Sequence, residues 1–169
     1  MSTWFECKAK YQKTDQNGKE KMVTEPYLVD AVSFTDAEKR INELLAPYIT
    51  GEFKVTNIKI ANFSELVPNE ACDRWFKCKV TFIGYNEEKG TETKTSTYML
   101  VQANTVRQAF DFVENALKGT VSDYEIPSIQ ESNLKDVFPY SEENEKMVKQ
   151  GPLYDSDKEQ SDYLEEAGE

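Results

Sequence analysis

The feature that most constrains this chain is that it states much of itself twice. Trp4-Phe5-Glu6-Cys7-Lys8 returns as Trp75-Phe76-Lys77-Cys78-Lys79. Tyr27-Leu28-Val29-Asp30-Ala31 answers to Met99-Leu100-Val101-Gln102-Ala103, and Ala37, Ile41 and Leu45 answer to Ala109, Val113 and Leu117. Phe53, Val55 and Ile58 answer to Tyr124, Ile126 and Ile129, with the register slipping by a single residue across the pair. Two copies of so short a unit predict one domain with internal pseudo-twofold symmetry. A surface presented twice suits binding better than a single catalytic centre.

Each copy reads strand, strand, helix, strand. In the first, Phe5, Cys7, Ala9 and Tyr11 alternate with Trp4, Glu6, Lys8 and Lys10, the period of a half-buried strand. Asn17-Gly18 supplies a tight turn, and a return strand ends at Tyr27–Val32, with Pro26 at a bulge or an edge. Ser33 or Thr35 caps a helix whose apolar stripe is Ala37, Ile41, Leu44, Leu45 and Tyr48. Pro47 makes its last turn irregular, Gly51 closes the helix or the turn after it, and a third strand runs from Phe53 to Phe63. Val67–Asp73 links to the second copy. There Phe76, Cys78, Val80 and Phe82 face inward, Lys89-Gly90 turns the hairpin, and Tyr98–Ala103 is the return strand. Thr105 caps a helix with Ala109, Phe112, Val113, Ala116 and Leu117 on its stripe, and Gly119 ends it. A last strand spans Tyr124 to Val137, interrupted at Pro127. The expected architecture is α+β: two pseudo-symmetric repeats, 3–66 and 74–138, forming one six-stranded, two-helix domain over residues 1–140.

Residues 141–169 differ in character. From residue 139 on, ten acids stand against three lysines, a net −7 of the chain's −11. This stretch reads as an acidic, flexible tail, with a short helix expected around Glu142–Lys149. Tyr154, Tyr163 and Leu164 are its candidate docking residues for a partner protein, since an aromatic-aliphatic pair in an acidic stretch is the composition of a docking peptide. No apolar run approaches the ~20 residues that span a bilayer, and no basic-then-apolar leader opens the chain. The expected location is the cytoplasm, with no membrane partner.

The chain contains no histidine. That removes the usual proton-transfer group near neutral pH and the Ser-His-Asp and Cys-His nucleophile systems. Three cysteines, two of them at equivalent repeat positions, argue against a disulfide framework. Cys72 and Cys78, with no second pair, do not make a zinc site. No phosphate-binding glycine loop appears. The expectation is a protein that is not an enzyme and that uses no cofactor or metal.

The motifs Trp-Phe-x-Cys-Lys, Thr24-Glu25-Pro26-Tyr27-Leu28-Val29-Asp30-Ala31, Arg74–Lys79, Met99–Ala103 and Asp136-Val137-Phe138-Pro139-Tyr140 occur in order. Together they resemble a two-repeat family of unknown function associated with Bacteroides-type gut bacteria and their phages, over about residues 3–140. The resemblance implies a bacterial or phage cytosolic setting and brings no activity, cofactor or catalytic residue.

Two functional readings follow. In the first, Trp4, Lys8 and Lys10, and equivalently Trp75, Lys77 and Lys79, form outward strand faces that stack and neutralise single-stranded nucleic acid, with the acidic tail as autoinhibitor or partner handle. The competing structural reading places both tryptophans in a core with the lysines at its rim. In the second functional reading, the chain is a protein-interaction module or inhibitor acting through its acidic surface.

Overall fold

Two long hairpins carry the fold in the computed structural model, which describes residues 3–140. Strands β1 (Thr3–Thr14) and β2 (Glu20–Ala31) form the first. Asp15 tightens its turn by accepting from the Asn17 and Lys19 amides, and Gly18 takes the positive φ of 79° that a side chain would resist. Helix α1 (Phe34–Leu45) follows, then β3 (Phe53–Ala61) and the short β4 (Glu65–Val67). Strands β5 (Arg74–Asn86) and β6 (Thr91–Ala103) form the second hairpin. Helix α2 (Val106–Ala116), β7 (Asp123–Glu131) and the short β8 (Asp136–Phe138) complete the order.

The eight strands of the described residues make two four-stranded sheets, β3-β1-β2-β8 and β4-β6-β5-β7. The short strands cross over: β4 follows β3 in the chain but pairs in parallel with β6, and β8 follows β7 but pairs in parallel with β2. The chain therefore divides into two compact units. One holds the described residues up to Ala61 together with those from Leu134 on, and the other is Asn62–Asn133.

This corrects the expected strand count. The stretch Tyr124–Val137 is two strands in different sheets, and Val67 belongs to a strand rather than to a linker. Three-residue strands are too short to show an alternation, so period-two reading passes over them.

In the first unit, Phe5, Cys7, Ala9, Tyr27, Val29 and Ala31 face the buried residues of α1: Ala37, Ile41, Leu44 and Leu45. Each large aliphatic side chain removed from water there contributes about 1.5–3 kcal/mol. The small Cys7 and Ala9 let the helix lie close. Tyr48 is off this stripe and 66% exposed, because α1 stops at Leu45, two residues before Pro47. In the second unit, Phe76, Cys78, Val80, Met99 and Val101 lie under Ala109, Val113 and Leu117 of α2 and its exit, with Phe112 partly buried against them. Ala116 is exposed instead of joining the stripe.

Both helices are capped as the sequence indicates. Ser33 accepts from the Asp36 amide and Thr105 from the Gln108 amide, each at 3.0 Å. Pro26 lies beside β1 just before β8 begins to pair, so strand β2 lacks a β8 partner at that residue, and the Lys135 amide donates to its carbonyl. Pro127 is passed over where the β5–β7 register shifts between Lys79 and Thr81, a bulge position where a missing N–H breaks no ladder bond. The β1–β3 ladder shifts at the corresponding place, between Lys8 and Ala9.

Candidate functional site

The outward strand face of the first unit is read directly from its register. Trp4 lies between Asp30 and Ala61, Glu6 between Leu28 and Lys59, Lys8 between Pro26 and Asn57, and Lys10 between Thr24 and Lys54. Trp4 and Lys8 are half-buried and Lys10 is exposed. Glu6 is paired with Lys59 at 2.9 Å, and with Asp30 beside Trp4 that end of the face offers an anion no net positive charge.

At the other end, Lys10 and Lys54 stand directly opposite each other across β1 and β3, and none of the ion pairs among the described residues involves either. They line a hollow of about 500 Å³ with Gln12, Met22, Glu52 and Phe53. Like charges directly opposite in a sheet are destabilising, so an anion placed between them would be attracted to both.

The second unit does not repeat this surface. Trp75 is 6% exposed, as the competing structural reading placed it, so there are not two open stacking platforms: this ring has no free face. Leu100, on the same side of the sheet, is wholly buried, as is its counterpart Leu28 in the first unit. Lys77 is exposed but lies over the Tyr98 ring at 4.3 Å, and Lys79 is half-buried. In place of Lys10 and Lys54 the register holds Thr81 and Glu125. Thr81 is buried, with its hydroxyl 3.0 Å from that of Ser96. Tyr154, Tyr163 and Leu164 lie outside the described residues, as does the expected helix at 142–149.

Sequence reading missed a second cluster on the helix side of the first sheet. Tyr11 and Tyr27 both donate their hydroxyl protons to the same Glu25 oxygen, at 2.5 and 3.1 Å. Lys13 reaches the other Glu25 oxygen at 3.6 Å. Burial works to raise the Glu25 carboxyl, but the two phenols and the charges of Lys135 and Lys13 outweigh it, and its pKa falls. Burial and the neighbouring Glu25 push the Tyr11 phenol up to about 12 and raise that of Tyr27 further. At neutral pH the arrangement is thus one carboxylate held by two protonated phenols.

A cleft of about 170 Å³ opens beside this cluster, walled by Tyr11, Tyr27, Tyr48 and Phe138 with Lys135 and Asp136 at its rim. Tyr27 and Phe138 are stacked with centroids 6.1 Å apart, and Tyr48 lies 6.4 Å from Phe138. Leu45 and Ile49, both buried, complete the lining. The sequence signal was present: Tyr11, Glu25 and Tyr27 alternate onto one face. Joining them to Phe138 required knowing that β8 returns to this sheet.

All three cysteines are free and buried. Burial raises the Cys7 thiol to about 12, with Glu6 adding to it, and the Cys78 thiol to about 11, which marks small core residues rather than nucleophiles. Among the described residues no group of three or more histidine, cysteine or carboxylate side chains could hold a metal ion, and no helix is long and apolar enough to cross a membrane.

No curated protein and no solved structure matches this chain. The family model described as a domain of unknown function, DUF4494, matches residues 3–140, and the chain belongs to that family.

Proposed function

We propose that this chain is a non-enzymatic binding module whose anionic ligand, with single-stranded nucleic acid as the extended form, is taken on the outward face of the first unit. The observation that supports this most is the Lys10–Lys54 pair, opposed across β1 and β3 at the edge of a hollow that also offers Phe53 and Met22. A protein keeps a repulsive pair of about 0.2–1 kcal/mol more readily where an anion relieves it. This differs from a two-platform surface: Trp75 takes no part in it, and Trp4 sits at the far end of the same face.

The groups nearest to catalytic chemistry support binding rather than turnover. Glu25 is shifted down and Tyr11 and Tyr27 are shifted up, so none is poised to exchange a proton near neutral pH. In the same reading the two units are copies of one duplicated strand-strand-helix-strand unit in a cytoplasmic bacterial or phage protein. The acidic segment from residue 141 on competes for the lysines until polyanion displaces it.

The test is fluorescence anisotropy of a labelled oligothymidylate, titrated with the full chain and with a form ending at Tyr140, at low and moderate salt. The reading expects salt-sensitive binding that strengthens without the acidic segment and weakens in Lys10→Ala and Lys54→Ala. An unchanged anisotropy at low salt for both forms would sink it and turn the search to a protein partner with a basic groove.

A further inference from the structure

The Tyr11–Glu25–Tyr27 cluster has no use in the anion reading, and it lies on the opposite face of the sheet. Its chemistry points to a different ligand. Each phenol has one proton; Glu25 accepts from both hydroxyls, and the two hydroxyls also interact with each other. With those protons engaged inside the cluster, the hydroxyl oxygens keep lone pairs but no donor for a ligand. At the rim, Asp136 uses one carboxylate oxygen to accept from the Val137 amide at 2.8 Å, leaving the other free to face a ligand. The walls are ring faces, which carry negative quadrupole and attract cations. Among the described residues, the positive group lining the opening is Lys135, which acts on Glu25 and helps to hold its carboxyl ionised.

We propose that this cleft seats an alkylammonium group, with its N–H donors on the phenolic oxygens of Tyr11 and Tyr27, its charge facing Asp136 and its alkyl stem against Tyr48 and Phe138. The raised phenol pKa values keep those hydroxyl protons in place across the physiological range. The size agrees: about 170 Å³ is below the ~300–1,000 Å³ of sites for drug-sized molecules, and suits one amine group and a short stem. The position also separates the units. Where the first has Tyr11, Glu25, Tyr27 and Phe138, the second has Phe82, Thr97, Met99 and Val67 at the same register, and the acceptors are gone. The cleft shares no residue with the Lys10–Lys54 hollow, so either proposal can fail alone.

The ammonium could belong to a free amine or to a lysine side chain of a partner, and the test separates them. Amide shifts of Asp136, Val137 and Phe138 in ¹H–¹⁵N spectra of the full chain would be followed against butylammonium chloride, tetramethylammonium chloride and a Gly-Lys-Gly peptide, at ionic strength matched with sodium chloride. The proposal expects saturable shifts with butylammonium, weaker ones with tetramethylammonium because it has no N–H, and a two- to fivefold loss of affinity in Asp136→Asn, about the scale of one partly exposed charge contact. Tyr27→Phe, which keeps the ring and removes the oxygen, should lower the preference for butylammonium over tetramethylammonium. Tighter binding of the peptide would assign the seat to a lysine side chain, and tighter binding of butylammonium to a free amine. Absence of saturable shifts with every cation, or equal shifts with sodium acetate, would overturn the proposal.

Discussion

Where the first unit sets Tyr27 opposite Cys7, Glu25 opposite Ala9 and Lys54 opposite Lys10, the second sets Met99 opposite Cys78, Thr97 opposite Val80 and Glu125 opposite Thr81. The buried positions change little: Phe5 and Phe76, Cys7 and Cys78, Val29 and Val101, Ala37 and Ala109 are all in the helix-side cores. Of the positions that differ, Lys10 and Lys54 border a hollow of the first unit, and Tyr11, Tyr27 and Phe138 wall its cleft. The lesson is that packing under the helix tolerates little variation, while the strand ends beyond it are free to acquire polar chemistry. We read the second unit as the plainer form of the design and the first as the one that carries ligand chemistry.

The largest expected effect tests the shared part. Phe5→Ala and Phe76→Ala each remove a ring buried beneath a helix, and each should cost about 3–5 kcal/mol in urea unfolding followed by circular dichroism. Costs that differ several-fold between the two would break the equivalence of the cores.

Next comes the part that differs. Glu25→Gln takes the carboxylate from two phenols and two lysines and should cost about 1–2 kcal/mol at neutral pH, because hydrogen bonds to a charged group exceed neutral ones while partial exposure screens them. Its folded pKa lies below the unfolded one, so its contribution is present above the unfolded carboxylate value of about 4.3 and is lost as pH falls through the lowered folded value. The Tyr11 phenol is raised, so its contribution is present below about 10 and is lost as pH rises through about 12. Phe82 and Met99, at the Tyr11 and Tyr27 positions of the second unit, do not titrate. Urea midpoints against pH should therefore lose part of their acid slope in Glu25→Gln and part of their alkaline slope in Tyr11→Phe. Unchanged slopes would mean the cluster is not held as described.

A smaller effect returns to what is shared. Ser33→Ala and Thr105→Ala each remove one helix cap and should cost about 0.5–2 kcal/mol. Thermal melts of the two variants should agree with each other, and a clear difference would show that α1 and α2 are held by different means.

The hairpins, both helices and their caps were legible in the sequence because each rests on local spacing: Phe5-Cys7-Ala9 at period two, Ala37-Ile41-Leu44-Leu45 at helical period, Ser33 and Thr105 at the starts. Tyr48 was misplaced because the helical period was carried past Leu45 although Pro47 stops it. The crossover of β4 and β8 was not legible, since Glu65–Val67 and Asp136–Phe138 are too short for a pattern and their partners are distant in sequence. That hid the cleft, whose wall at Phe138 reaches Tyr27 only through the β2–β8 pairing. Of the tentative site, Lys10 stands where the alternation put it, whereas the burial of Trp75 depends on tertiary packing that alternation does not report.

The most direct test of the central claim is Lys54→Glu, which gives the first unit the second unit's residue at that position. It replaces an opposed pair of lysines by an opposite-charge pair. The account predicts a chain more stable by about 0.2–1 kcal/mol, with its oligonucleotide binding weakened and the salt slope of that binding reduced by ~1. A variant that is less stable, or one that binds the oligonucleotide as the parent does, would contradict it.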